Sequence, residues 1–249
     1  MEDTKTLEKI LVEHGRIVDY KTISAYFIKL SNINNKISSL ITKGWLVNLK
    51  KGVYYITKLG SLGYVTISNY VIAGIIGTES FISFEGALKY HGFFDQGIQR
   101  FRSISQIQYL TKEIEKTRYE YIKVQKNDYF GFSRERIETE FANIAYIERA
   151  LLDLIEYQRS IYTVSLVIEK FQNYQQDIDI KRVVEYLKNY SQVTVKMVGT
   201  IFDALQIDSK EVFKLINSNN STSRLFKSSD VFDTKWRIYY DSIFAEQLQ

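Results

Sequence analysis

Residues 1–58 carry a helical stripe, a two-residue apolar step, two more helical stripes and a hairpin signature, and few folds accept that succession in so short a length. Leu7, Ile10, Leu11 and His14 recur at i, i+3, i+4 and i+7, the spacing of one helix face, and Gly15 is placed to end that helix. Ile17-Val18 is long enough only for a bridging strand. Asp19 can N-cap a second helix, whose Ile23, Tyr26, Phe27 and Leu30 repeat the spacing. Ser31 can cap a third, with Ile33, Ile37, Leu40 and Ile41 as its expected buried stripe and Gly44 at its end. Trp45 to Ile56 then reads as a hairpin turning at Lys50-Lys51-Gly52, where glycine is free to take positive φ. Helix, short strand, helix, helix, hairpin is the order of a winged helix-turn-helix.

Charge is distributed to match. Between Asp19 and Glu79 there is no acidic residue, while Lys21, Lys29, Lys36, Lys43, Lys50, Lys51 and Lys58 all fall in that window. Residues 1–60 hold ten basic and five acidic side chains, a sum of +5, so the net charge of +4 originates in the N-terminal quarter. An acid-free basic surface attracts the phosphate backbone of double-stranded DNA. Opposite the apolar stripe of the third helix stand Asn32, Asn35, Ser38, Ser39, Thr42 and Lys43, flanked by Asn34 and Lys36. Asparagine and serine can pair with base edges, and lysine with base or phosphate. With Ser31 at its start, this helix is the expected base reader. Lys21, Lys29, Lys50 and Lys51 are expected at phosphate, and Asn48 at the wing tip. A winged helix that serves instead as a protein-interaction module is the alternative on the same residues.

Residues 59–78, with Gly60, Gly63, Gly74 and Gly77, read as a connecting segment, and residues 79–249 as an α+β domain whose C-terminal half is helical. A helix is expected from Ser83 to Tyr90, ended by His91-Gly92, followed by strands near 101–109, 119–125, 129–137 and 141–144. A helix over 146–157 follows. Three more carry the stripes of Val164–Phe171, Val183–Leu187 (capped by Asp179) and Val195–Leu205. Asp208 and Glu211 have the spacing of a capping box for a further helix, and 235–240 reads as a closing strand.

With no cysteine and only His14 and His91, thiolate chemistry is excluded and a histidine-based zinc site is not expected. No phosphate-loop, dinucleotide or nucleophile-elbow motif occurs. Glu113/Glu115, Glu138/Glu140 and Asp177/Asp179 are spaced carboxylates of the sort a metal-dependent nuclease could use, the alternative from the enzyme class. Solvated charge is the plainer reading of all three. His91 reads as a helix C-cap and Arg149–Asp153 as an ion pair within a helix, so no catalytic residue, cofactor or metal is assigned. The N-terminus has no apolar leader core, and the longest apolar run, around Tyr70–Ile76, is too short to span a bilayer, so a soluble cytoplasmic protein is expected.

Three blocks add a resemblance. Leu46-Val-Asn-Leu-Lys-Lys-Gly-Val-Tyr54 resembles the wing of the AbiEi family, the antitoxins of type IV toxin–antitoxin and abortive-infection systems. Phe81-Ile-Ser-Phe-Glu-Gly-Ala-Leu-Lys-Tyr-His-Gly92 is similar to that family's serine-to-histidine-glycine helix, and Ile147-Glu-Arg-Ala-Leu-Leu-Asp-Leu-Ile155 to its Glu-Arg-Ala-Leu-Leu-Asp helix. Lys196-Met-Val-Gly199 and Lys235-Trp236 are weaker echoes. Met197 stands where arginine is usual, and the prolines common in members are absent. The resemblance implies a winged helix that binds repeats in its own promoter and represses its operon. It also implies a C-terminal domain that counters a nucleotidyltransferase-like toxin without a stable complex.

Overall fold

The computed structural model describes residues 2–28, 32–57, 66–138, 140–216 and 221–248. Its N-terminal module runs α1 (Glu2–His14), β1 (Ile17–Asp19), α2 (Tyr20–Tyr26), α3 (Ile33–Thr42), β2 (Leu46–Lys50) and β3 (Val53–Ile56). The strands form an antiparallel sheet in the order β1-β3-β2, so the topology is that of a winged helix-turn-helix. Asp19 caps α2 by accepting the Thr22 N–H at 2.7 Å. Leu7, Ile10, Val18, Ile23, Phe27, Ile37, Leu40, Leu46, Tyr54 and Ile56 make its core. Gly52 closes the wing at φ 75°, and its carbonyl accepts the Tyr20 N–H at 2.8 Å, which pins the turn to α2.

Among the described residues two expected core positions are exposed, and Leu30 lies outside the described residues. His14 is exposed and bonds the Tyr26 hydroxyl, and Ile41 is 37% exposed in the last turn of α3.

The second body comprises α4 (Asn69–Ile76), β4 (Ser80–Ile82), α5 (Phe84–Tyr90), β5 (Arg100–Ser105), β6 (Lys112–Ile114), β7 (Thr117–Lys123), β8 (Phe132–Ile137), β9 (Glu140–Ala145) and α6 (Ile147–Tyr157). After these come α7 (Ile161–Asn173), α8 (Ile180–Leu187), α9 (Gln192–Ala204), α10 (Lys210–Phe213), β10 (Ser223–Arg224), β11 (Val231–Asp233), β12 (Ile238–Tyr240) and α11 (Ser242–Gln247). Six strands form a mixed sheet ordered β6-β7-β5-β4-β9-β8, with β5–β7 and β4–β9 parallel. The whole is an α+β fold with a helical C-terminal part. β10, β12 and β11 make a small separate sheet.

Of the expected connecting segment, residues 66–78 are described and 59–65 lie outside the described residues. Within 59–78, residues 69–76 form α4, whose Val71, Ile72, Ala73 and Ile76 are buried and which packs on β4, β5 and β9. The same helix touches wing strand β2, and Leu49 and Tyr55 of the wing belong to the larger core rather than to their own. A capping box at Asp208–Glu211 is likewise not what forms: Ser209 is the N-cap of α10, and Asp208 Oδ1 accepts the Lys210 N–H instead. The closing strand is shorter than expected, because residues 234–237 form a turn before β12.

Candidate nucleic-acid interface

The base-reading residues expected on the third helix divide into three groups. Asn34, Asn35, Ser38 and Thr42 are exposed on α3, with Ser39 half-buried beside them. No carboxylate lies within α3, so this face offers amide and hydroxyl groups without repelling phosphate. Thr42 Oγ1 donates to the Ser38 carbonyl at 3.0 Å and keeps lone pairs for a further donor.

Asn32 has a structural task. It, and not Ser31, is the N-cap: its Oδ1 accepts the Asn35 N–H at 3.1 Å. That bond orders the first turn of α3 at the cost of one base-pairing atom. Lys29 and Ser31 lie outside the described residues.

Lys36 and Lys43 form the third group, and here the acid-free window misleads. Asp3, in the first turn of α1, reaches across so that its carboxylate lies 2.5 Å from Lys36 Nζ and 3.5 Å from Lys43 Nζ. Lys36 also sits over the Phe27 ring and Lys43 over the Trp45 ring. The Lys36 hydrogen bond, against the opposing effect of partial burial, holds the Asp3 carboxyl below the ordinary aspartate value.

On the wing, Lys51 is exposed and Lys50 half-buried, and neither has an ion-pair partner among the described residues. Lys21 is exposed at the start of α2. Asn48 corrects the expectation for the wing tip: its Oδ1 accepts from Lys112 Nζ of β6 at 2.7 Å. It therefore points to the large sheet, and the wing's outward chemistry reduces to Lys50 and Lys51. Burial lowers the pKa of Lys112 in this contact.

The quoted blocks of the second body meet in its interior. Arg149 and Asp153, one helical turn apart on α6, are both buried, with Arg149 Nε 3.0 Å from Asp153 Oδ1. Ser83, the N-cap of α5, donates its hydroxyl to Asp153 Oδ2 at 2.6 Å, and the Tyr190 hydroxyl donates to Oδ1 at 2.7 Å. The guanidinium is held over the Phe130 ring, 4.4 Å from its centroid. Glu148 accepts the Asp179 N–H at 2.9 Å and pairs with Arg182 at 3.2 Å. His91 is the C-cap of α5, and its Nε2 lies 2.8 Å from the Ala145 carbonyl, so that nitrogen carries the proton and donates. These groups bind one another and clamp α5, α6 and the start of α8 together.

The spaced carboxylates sit apart. Glu113 is in β6 and Glu115 in the turn after it, Glu138 is in the turn after β8 and Glu140 opens β9, while Asp177 is exposed before α8 and Asp179 caps that helix by accepting the Arg182 N–H. Among the described residues no three His, Asp or Glu side chains converge as metal ligands, and no helix is long and apolar enough to cross a membrane.

No protein-family model matches the sequence, and no curated protein matches it. Among solved structures, the RV2827C protein from Mycobacterium tuberculosis is similar in fold, with a TM-score of 0.71 at 10% identity, over 94% of this chain and 89% of that one. The likeness extends across both bodies.

Proposed function

We propose that this protein is a DNA-binding antitoxin of the type IV kind, which represses its own operon by binding promoter repeats and counteracts a nucleotidyltransferase-like toxin in the cytoplasm. The observation that carries the DNA-binding half is the exposed face of α3. Asn34, Asn35, Ser38 and Thr42 stand outward on the helix that a winged helix-turn-helix lays in the major groove, with Lys50 and Lys51 beside it on the wing.

The antitoxin half rests on the resemblance of the wing, Ser83–His91 and Glu148–Asp153 blocks. No enzymatic step is assigned to any residue. The test is titration of the purified protein onto a fragment from upstream of its own gene, against an unrelated fragment of equal length, at two salt concentrations. A preference of about a hundredfold or more, steeply salt-dependent, supports the repressor. Equal weak binding to both, or binding insensitive to salt, assigns the winged helix to protein interaction. Rescue of growth on co-expression with a nucleotidyltransferase-like neighbour tests the antitoxin half.

A further inference from the structure

We infer that Asp3 is an internal competitor for DNA phosphate that sets how tightly the module holds DNA. The inference rests on the reading of α3 and the wing as a DNA interface, and concerns a residue on neither. Lys36 and Lys43 are seven residues apart, two turns along one flank of α3, so a single carboxylate from α1 can reach both. Asp3 Oδ1 faces Lys36 and Oδ2 faces Lys43, the arrangement two non-bridging phosphate oxygens would offer. The side chains keep an open side: Lys43 is 49% exposed, Lys36 21% and Asp3 19%.

Lys36 Nζ lies 5.5 Å from the centroid of the Phe27 ring and Lys43 Nζ 5.2 Å from that of Trp45, contacts that favour both ammonium groups at this flank of the helix. The cluster of two lysines and one aspartate carries a net +1. Phosphate that engages these lysines must displace Asp3 or tolerate its charge. Because every DNA sequence presents phosphate, the penalty applies to all sequences alike, and selectivity is left to the bases that α3 reads.

The experiment compares Asp3→Asn with the unmodified full chain on the upstream and unrelated fragments across a salt series, with circular dichroism confirming the fold. Asp3→Asn raises the cluster to +2. Affinity for both fragments is expected to rise about three- to tenfold, with their ratio unchanged, and the slope of log K against log salt to steepen by about 0.9.

The double variant Lys36→Ala/Lys43→Ala is made both in the unmodified chain and in the Asp3→Asn background. Competition requires its loss of affinity to be larger in the Asp3→Asn background, since only the freed lysines reach phosphate. Equal losses in the two backgrounds, or unchanged or weaker binding by Asp3→Asn, overturn the inference and leave Asp3 as a tether between α1 and α3. Selective binding by the wild type with no gain in Asp3→Asn sinks this inference alone. Absence of selective binding in every variant sinks the DNA-reading assignment with it.

Discussion

Gly199 of α9 lies directly against the Trp236 ring: a methyl group at 199 would overlap Cε3, Cζ3 and Cη2 of the indole. Trp236 is fully buried and its Nε1–H donates to Asp203 Oδ2 at 2.6 Å, so a shift of the ring away from residue 199 would strain that bond. Gly199→Ala is expected to destabilise the protein by about 1–3 kcal/mol through overpacking, read as a lower urea midpoint. An unchanged midpoint would mean that the indole has room the packing does not show. The two weak echoes in the sequence, Lys196–Gly199 and Lys235-Trp236, thus belong to one contact.

Asp153 is fully buried, and burial pushes its carboxyl up against the opposing pull of Arg149, Ser83 and Tyr190. Removing its charge leaves the Arg149 guanidinium buried without a counterion. Asp153→Asn is expected to cost about 3–5 kcal/mol in chemical denaturation. Ser83→Ala, which removes one donor, is expected to cost about 1–3 kcal/mol. A reversed order of the two would show that the ion pair is not the centre of the clamp.

Acid should weaken the α9–Trp236 junction. Although burial opposes it, the Asp203 carboxyl is held below the ordinary 3.8 of an aspartate by hydrogen bonds from Lys235, Ser209 and Trp236. A carboxyl with a depressed folded value contributes stability that is complete above its unfolded value and lost as the pH falls through the folded one. The stability gap between wild type and Asp203→Asn, followed by denaturation against pH, should therefore be widest near neutrality and close below pH 3.8. A gap that stays constant down the series would remove Asp203 as the titrating group.

Lys50→Ala/Lys51→Ala should weaken binding to all DNA and flatten the log K against log salt slope by roughly 2, one phosphate contact for each lysine. A slope left unchanged in filter binding would take the wing out of the interface.

Asn35→Ala should act differently, because its side chain is exposed while its backbone N–H is held by the Asn32 cap. Loss of one base contact is expected to reduce preference for the upstream fragment by about 1–3 kcal/mol, with affinity for random DNA unchanged. Equal weakening on both fragments would place Asn35 at phosphate instead.

The amphipathic elements were readable. α1, α2, α3 and α8 show their buried residues at 3.6-residue spacing, and the winged-helix order follows from the first three stripes and the hairpin around Gly52. α4 gives no such signal because Tyr70–Ile76 is an unbroken apolar run, with no polar residue to mark the period of its buried Val71, Ile72, Ala73 and Ile76. β6, β10 and β11 have at most three residues, too few to show alternation. Periodicity also places Ile41 inward, since it reports the angle around a helix and not where the neighbouring element ends. The lysines of α3 were legible as charges, but their counterion was not. Asp3 is 33 positions from Lys36 in the chain, and only the folding of the module around its shared core brings the two together.

Leu49 and Tyr55 have their backbone in the wing and their side chains in the core of the second body. A gene fragment cut after residue 57 would therefore expose both, and would also lose the Lys112 partner of Asn48. The winged-helix module is not a cassette to be lifted out: its hairpin is braced by α4 and by Lys112 of β6. Binding constants measured on the severed module would describe a different object, and grafting it onto a foreign C-terminal domain would require that domain to supply the missing brace.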